Sequence, residues 1–294
     1  MEVWFICLLV SLFLFLVYSG MKIHKNFVTN DELIKNTRDN PEQNGSKYIP
    51  KKIHQILIRD GDKIPEHFAK NINYIKNLNK GWEHYLYNED DIVKYLKKNY
   101  PKNILIAYEK INPDYRAARA DFFRYLVIYK EGGAYFDIKS AMKVPLDSII
   151  KTDDEYILAH WSCPSVRSIW ENNKIARYTL NTELGEFQQW HVISRPGHPY
   201  LKNVIDNILK NIETYNPVID GTGKTGVFYV TGPYVYTDSI IPIINDHKHT
   251  IYESSDDIGL IYNNCISIFA INHKQLFSKK HYSKFDSPII NKTV

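Results

Sequence analysis

Three charged residues surround the junction of a predicted helix and a predicted strand. Asp121 and Arg124 are three residues apart in a stretch with helical spacing, and Asp137 lies farther along the chain, where the strand would end. Residues three apart share a helix face, so Asp121 and Arg124 can present a carboxylate acceptor and a bidentate donor together. Such a pair suits a polar ligand, although an exposed ion pair of little energetic value has the same spacing.

The elements that would position these residues are marked by local signals. Asn112 can cap a helix and Pro113 suits its first position. The pair Gly132-Gly133 then ends the helix, and a strand follows at once. This order places Asp137 at the end of the strand, where it can meet the helix face.

The preceding sequence alternates in the same way between strands and helices. An apolar strand is predicted over 52–58, a helix over 65–77, a strand over 82–87, and a helix from a cap at Asp90 to Lys98. This alternation favours an α/β fold with a mainly parallel sheet covered by helices. In such folds, ligands bind beyond the carboxyl ends of the strands.

Composition narrows the classes of function. The 294 residues contain 37 Lys and Arg against 33 Asp and Glu, a net charge of +4, so no nucleic-acid partner is expected. Hydrophobic residues make up 44% of the chain, as in an ordinary globular domain. Three cysteines are too few for a disulfide scaffold and are not spaced like a zinc site.

The N-terminal sequence predicts a membrane segment. Residues 3–18 carry no charge, and their length lies between a signal-peptide core and a full membrane span. We therefore predict a single-pass transmembrane anchor, or an uncleaved signal, over 1–20 and a polar stalk over 21–48. Lysines follow the apolar run rather than preceding it, which leaves the membrane orientation open. The globular domain is predicted over 49–294.

The stretch from Asn112 to Lys139 resembles the sugar-binding region of DXD-containing glycosyltransferases of family 32, the group of yeast-type initiating α-mannosyltransferases and mannosyl-inositolphosphoceramide synthases. The same resemblance extends, in order, to the stretches 49–56, 195–199, 230–233 and 280–282. It implies a GT-A fold over the globular domain, in which a nucleotide-binding α/β sheet supports sugar transfer from a nucleoside diphosphate donor with retention of configuration.

The resemblance also implies roles for individual residues. The first strand would contact the nucleobase through its backbone, and the helix pair would hold the donor sugar and phosphate oxygens, as suits a carboxylate and a guanidinium. Asp137 matches the first Asp of the DXD motif, and we assign it a catalytic role together with Lys139. The implied donor-binding residues are His54, Gln55, Ile56, Leu57, Asp121, Arg124, Tyr135, Thr231 and Gly232.

Lys139 stands where the family commonly has the second Asp, a ligand of the Mn²⁺ or Mg²⁺ that bridges the diphosphate. Three alternatives follow. In the first, the Lys139 ammonium neutralises the phosphates without a metal. In the second, Asp137 and His281 retain the metal, which is the alternative we rank first. In the third, the site is inactive.

The predicted function is retaining transfer of a hexose, mannose or similar, from a UDP- or GDP-sugar to a glycan or glycolipid acceptor at an endomembrane such as the Golgi. The aromatic pairs His160-Trp161 and Trp190-His191 could line an acceptor groove. The alternative is a catalytically silent, membrane-anchored carbohydrate-binding or scaffolding protein. Retention of the three charged residues at the helix–strand junction favours the enzyme.

Overall fold

The computed structural model describes residues 46–61, 63–161, 185–262 and 281–291. The predicted anchor over 1–20 and nearly all of the stalk over 21–48 lie outside these residues. Within the four described ranges, no helix is long and apolar enough to cross a membrane.

Strands and helices alternate through the first half of the described chain. The strands are β1 Lys52–Ile56, β2 Glu83–Tyr87, β3 Gly133–Phe136, β4 Ala141–Met142, β5 Tyr156–Ala159, β6 His191–Ser194, β7 Thr250–Tyr252 and β8 Leu260–Ile261. The α-helices are α1 Glu66–Leu78, α2 Glu89–Asn99, α3 Lys102–Lys110, α4 Arg116–Glu131, α5 Leu146–Ile149, α6 Pro199–Thr214, α7 Pro217–Asp220, α8 Gly223–Val230 and α9 Pro233–Ile240. Short 3₁₀ helices cover Ile241–Asp246, Ser255–Ile258 and Tyr282–Lys284.

The main sheet has six strands in the order β2-β1-β3-β6-β5-β7. Strand β6 pairs antiparallel with both of its neighbours, whereas the other pairings are parallel. The predicted α/β fold with a mainly parallel sheet is therefore confirmed. A separate two-stranded sheet joins β4 to β8, which brings residues after β3 next to residues after β7.

Alternation along the strands separates two apolar clusters. In β3, Ala134 and Phe136 pack into one cluster, and Tyr135 between them packs into the other. Successive side chains of a strand point to opposite faces, so the main sheet lies between the two clusters. The cluster that contains Tyr135 also contains Phe122 and Leu126 of α4, which packs this helix against the sheet.

Two glycines make the tight passage from α4 into β3. Both have positive φ angles, 66° for Gly132 and 96° for Gly133. A Cβ atom on Gly133 would come within 2.4 Å of the Lys52 carbonyl oxygen, and one on Gly132 within 2.6 Å of Pro196. Side chains are therefore excluded sterically at both positions, as well as by the backbone conformation.

The cap of α2 lies two residues before the predicted one. The Asn88 side chain accepts a hydrogen bond of 2.9 Å from the Asp91 N–H, and the Asp91 carboxylate accepts one of 3.2 Å from the Asn88 N–H. This reciprocal capping box satisfies two backbone donors at once, whereas Asp90 is already inside the helix.

Helix α4 begins at Arg116, later than the signals at Asn112 and Pro113 predict. The Asn112 side chain accepts a hydrogen bond of 3.0 Å from the Asp114 N–H, which is two residues on. This local bond stabilises a turn in place of the first helical turn. The predicted end of the helix at Gly132 is confirmed.

Candidate active site

A cavity of about 460 Å³ opens beyond the carboxyl ends of β1 and β3. Ile56 and Leu57 line it at the end of β1, and Asp137 and Lys139 line it after β3. Helix α4 runs alongside, and α8 and the segment around His281 form the wall across from the sheet. The position agrees with the general rule for ligands of open α/β sheets.

Asp121 and Arg124 of α4 form a buried ion pair in the wall of this cavity. Arg124 Nη2 lies 2.5 Å from Asp121 Oδ1, and the side chains are only 5% and 6% exposed. The alternative of an exposed ion pair is therefore wrong. Burial raises the pKa of Asp121, and Arg124 opposes this rise. The Thr231 hydroxyl donates a hydrogen bond of 3.2 Å to the second oxygen of Asp121.

Arg124 connects the helix to the end of β3. Its guanidinium lies over the Tyr135 ring, 4.7 Å from the ring centroid, and its Nη2 is 3.5 Å from Asp137 Oδ1. The Tyr135 hydroxyl donates to the same Asp137 oxygen at 2.8 Å. One carboxylate oxygen therefore receives both a neutral donor and a cation. The arrangement holds the Asp137 carboxylate in a defined position at the cavity wall.

Lys139 lies on the same cavity wall, against an aromatic residue. Its ammonium is 4.6 Å from the centroid of the Tyr262 ring and donates a hydrogen bond of 3.2 Å to the Tyr262 hydroxyl. Burial lowers the pKa of Lys139, but Tyr262 and Asp137 together raise it above the ordinary value. Lys139 is thus a cation at neutral pH in the neighbourhood of the motif carboxylate.

The residues predicted to hold a metal supply few suitable ligands. Asp137 and His281 both line the cavity, but His281 Nδ1 is 2.7 Å from the Ser283 hydroxyl oxygen. Across the described ranges, no group of three or more His, Cys, Asp or Glu side chains is placed to hold a metal ion. Mn²⁺ and Mg²⁺ favour several oxygen ligands, and a neighbouring ammonium repels them. The donor set therefore fits a divalent metal poorly.

The predicted nucleobase segment divides between the core and the cavity. Ile56 and Leu57 line the cavity, whereas His54 and Gln55 do not. The His54 ring is buried and stacks on Tyr85, with centroids 5.2 Å apart, and burial lowers its pKa to about 3. Gln55 donates a hydrogen bond of 3.4 Å to the backbone carbonyl of Asp137. These two side chains thus support the ends of β1 and β3 from outside the cavity.

Thr231 and Gly232 also lie behind the cavity wall. Thr231 reaches the site through its hydrogen bond to Asp121. At Gly232, a Cβ atom would come within 2.7 Å of the Phe228 backbone, so the close passage from α8 to α9 requires glycine. Pro233, the next residue, does line the cavity. The pair thus positions other residues of the wall.

Several residues of the wall carry no motif in the sequence. From the aromatic pairs considered above, Trp161 and Trp190 line the cavity, and the two histidines do not. Glu186 is an acidic residue of the wall that sequence reasoning missed. It lies in an extended stretch whose spacing gives no sign of its burial. The wall residues without an assigned role include Glu186, Gln189, Lys224, Phe228, Tyr262 and Tyr282.

Comparison with known families identifies this region. Residues 65–156 match the glycosyltransferase sugar-binding region containing the DXD motif. The chain carries a glycosyltransferase sugar-binding region. The matched residues include the Asp121–Arg124 pair and the stretch from Asp137 to Lys139. Together with the relatives below, this match confirms the resemblance to family 32 and supports a function in glycosyl transfer.

The relatives of this sugar-binding region are distant but consistent in class. An uncharacterized glycosyltransferase of Acanthamoeba polyphaga mimivirus is 26% identical over 72% of this chain and 70% of its own length. The initiation-specific alpha-1,6-mannosyltransferase of Candida albicans is 27% identical, over 68% of this chain and 54% of its own. Inositol phosphoceramide mannosyltransferase 1 of Schizosaccharomyces pombe is 26% identical, over 55% and 43%. The chain thus spans about half the length of these two mannosyltransferases.

Solved structures of glycosyltransferases are also similar. The PaToxG glycosyltransferase has a TM-score of 0.49 and 17% identity, covering 68% of this chain and 72% of its own. The UDP-bound glycosyltransferase domain from the YGT toxin has a TM-score of 0.47 and 10% identity, covering 82% and 84%.

Proposed function

We propose that this chain is a retaining glycosyltransferase of GT-A type that transfers a hexose, mannose or similar, from a nucleoside diphosphate sugar to a glycan or glycolipid acceptor. The observation that carries the proposal is the connected set Asp121, Arg124, Tyr135 and Asp137. These residues meet in one cavity beyond the strand ends, and all four belong to the matched sugar-binding region. Names of mannosyltransferase relatives support mannose as the first hexose to test.

The chemistry asks the protein to stabilise a diphosphate leaving group. Negative charge develops on the phosphate oxygens as the glycosidic bond breaks, so cations fixed in advance lower the barrier. Arg124 and Lys139 are cations of this wall, and their partners Tyr135 and Tyr262 orient them. In this proposal Asp121 accepts hydrogen bonds from hydroxyls of the transferred sugar, and Asp137 helps to fix the position of both cations.

The charge beside the diphosphate is proposed to come from Lys139. The poor donor set of the described residues argues against a resident metal, whereas the ammonium is already in the wall. A Mn²⁺ or Mg²⁺ ion on Asp137 and His281 is the competing proposal, and a chelator separates the two. When present in an enzyme of this class, such an ion would neutralise the diphosphate.

The acceptor and its location rest on the sequence alone. The apolar run over 3–18 supports a single-pass anchor, and a membrane anchor suits a membrane-borne acceptor such as a glycolipid. We propose an endomembrane location on the same basis. The orientation of the chain in that membrane is left open, and a nucleic-acid partner is not expected from the net charge of +4.

The deciding experiment is release of free nucleotide by the purified full-length chain from a panel of UDP- and GDP-sugars. Each donor is tested with Mn²⁺ and again with chelator. Release from one donor would establish sugar-nucleotide turnover and name the donor. Activity that survives the chelator would support Lys139 as the cation, and activity lost in chelator would support the metal. A folded protein that binds and turns over no donor, alone or with mannoside and glycolipid acceptors, would favour the silent carbohydrate-binding alternative.

A further inference from the structure

Glu186 is a buried carboxyl in the cavity wall with one oxygen left over. Its side chain lines the cavity, and the residue is only 4% exposed. The indole N–H of Trp161 donates a hydrogen bond of 2.9 Å to Oε1. Among the described residues, Oε2 is shielded from water and has no hydrogen-bond partner. A buried acceptor without a partner is costly to keep, which points to a ligand group that completes it.

The backbone around Glu186 is fixed by the two residues that follow it. The Phe187 N–H donates a hydrogen bond of 3.0 Å to the Thr237 hydroxyl, and the Gln188 N–H donates one of 2.8 Å to the Ala159 carbonyl. These bonds connect the stretch to α9 and to the end of β5. Because both the backbone and Oε1 are held, Glu186 is preorganised rather than free to turn away from the cavity.

The electrostatic environment favours a neutral carboxyl. Burial raises the pKa of Glu186 to about 8, against smaller opposing effects of Trp161 and Lys224. A protonated carboxyl both donates and accepts hydrogen bonds. A hydroxyl does the same, whereas a phosphate supplies mainly acceptors and negative charge. The group that best completes Glu186 is therefore a hydroxyl.

The neighbouring wall is aromatic. Trp161 and Tyr262 meet edge to face with ring centroids 5.1 Å apart, and Tyr262 lies 5.5 Å from Trp190. All three residues line the cavity. Large rings next to one polar group provide apolar contact for the C–H faces of a sugar while the polar group fixes its orientation.

We propose that the carboxyl of Glu186, oriented by Trp161, binds a sugar hydroxyl in this cavity. The inference rests on the proposed function for its substrate class and adds a specificity-determining residue to it. The hydroxyl belongs either to the transferred sugar of the donor or to the acceptor. Both sources offer the same chemistry, and binding measurements separate them.

The test compares three full-length variants with the wild type. Glu186→Met removes the polar group at similar size, Glu186→Gln keeps a donor and an acceptor, and Trp161→Phe removes the indole N–H while keeping an aromatic ring. Glu253→Met is the matched control, because Glu253 is exposed and does not line the cavity. Melting temperatures establish that each variant is folded.

The measurements are dissociation constants for GDP, GDP-mannose, UDP and UDP-glucose, and for methyl α-mannoside as the acceptor probe. For Glu186→Met we expect a loss of about 10- to 100-fold in one sugar arm, with affinity for the free nucleotide unchanged. Weaker GDP-mannose or UDP-glucose binding assigns the hydroxyl to the donor, and weaker methyl α-mannoside binding assigns it to the acceptor. Glu186→Gln should stay near the wild type, and Trp161→Phe should fall between the two.

Unchanged binding of every sugar by a folded Glu186→Met variant would overturn the inference. Equal losses in the Gln and Met variants would also overturn it, in favour of a role for the ionised carboxylate. A wild type that binds methyl α-mannoside but no nucleotide sugar would contradict the proposed transferase, and the mannoside arm would still test Glu186. The two failures are therefore distinguishable.

Discussion

Arg124 and Asp121 form an ion pair that is almost wholly shielded from water, with Nη2 and Oδ1 2.5 Å apart. Arg124 also donates a hydrogen bond of 2.7 Å to the Gln189 carbonyl oxygen. A buried pair of this kind adds little net stability over an apolar pair, but losing one partner leaves an uncompensated charge. The pair thus ties the integrity of the fold to residues of the proposed donor site.

Arg124→Met should therefore destabilise the protein by about 3–5 kcal/mol, because Asp121 would remain buried without its cation. Urea unfolding followed by circular dichroism measures this change. The double variant Arg124→Met with Asp121→Leu should recover part of the stability without recovering turnover. Equal stability of the single variant and the wild type would contradict the burial of this pair.

Asp137→Asn should abolish nucleotide-sugar turnover while leaving the protein folded. The side chain is partly exposed at the cavity wall, and an amide of the same shape can still accept the Tyr135 hydrogen bond. Nucleotide release and thermal melting measure the two properties. Asp147→Asn is the control, because Asp147 forms an exposed ion pair with Lys51 and does not line the cavity. Unchanged turnover in Asp137→Asn would defeat the site assignment.

Lys139→Met should reduce turnover about 10²- to 10³-fold, the usual effect of removing one preorganised group that stabilises developing charge. Turnover of the wild type should be insensitive to chelator. Lys139→Arg should retain more activity than Lys139→Met because the positive charge is kept. If chelator abolishes wild-type turnover and Lys139→Met leaves it intact, the positive charge comes from a metal.

Stability should depend on pH through Glu186. Its pKa is raised from 4.5 to about 8 in the folded protein, chiefly by burial, so between these values the folded state holds a proton that the unfolded chain has lost. Unfolding free energy therefore falls as pH rises through this window. Glu186→Gln lacks this titration, so its stability relative to wild type should increase from pH 5 to pH 8. Parallel stability profiles of the two proteins would contradict the raised pKa.

Gly133→Ala should destabilise the protein by more than the roughly 1 kcal/mol that conformational strain alone costs. The added methyl group would lie within 2.4 Å of the Lys52 carbonyl oxygen, at the parallel pairing of β1 and β3. Chemical denaturation gives the loss. Gly81→Ala is the control, since nothing lies within 4 Å of a Cβ atom at that position. Similar losses in both variants would show that the steric argument at Gly133 is wrong.

The helix–strand junction could be predicted from sequence because its signals are local. Gly132 ends the helix through its own backbone preference, and the three-residue spacing of Asp121 and Arg124 places them on one face wherever the helix lies. The start of α4 is less predictable, since Asn112 can cap either a helix or a turn. Burial of the ion pair, in contrast, depends on segments distant in sequence, including Gln189 and Thr231.

Glu186 shows why the rest of the site required the structure. Its partner Trp161 is 25 positions earlier, and no helical or strand period connects the two residues. The burial of its carboxyl depends on how β5 and α9 hold the stretch around Phe187, which is a property of the tertiary fold. Acidic residues in extended segments are usually solvated, so the sequence alone favours the wrong environment here.

The placement of Lys139 near Asp137 has a consequence for how metal dependence could change within such a site. The formal charges of Asp121, Asp137, Arg124 and Lys139 sum to zero. Lys139→Asp would restore the DXD pattern and change this sum to −2, which is the charge that one divalent ion cancels. A single substitution at this position is therefore equivalent, in net charge, to exchanging a covalently attached ammonium for a diffusible metal ion. A lineage could move between metal-free and metal-requiring transfer without altering the other three residues.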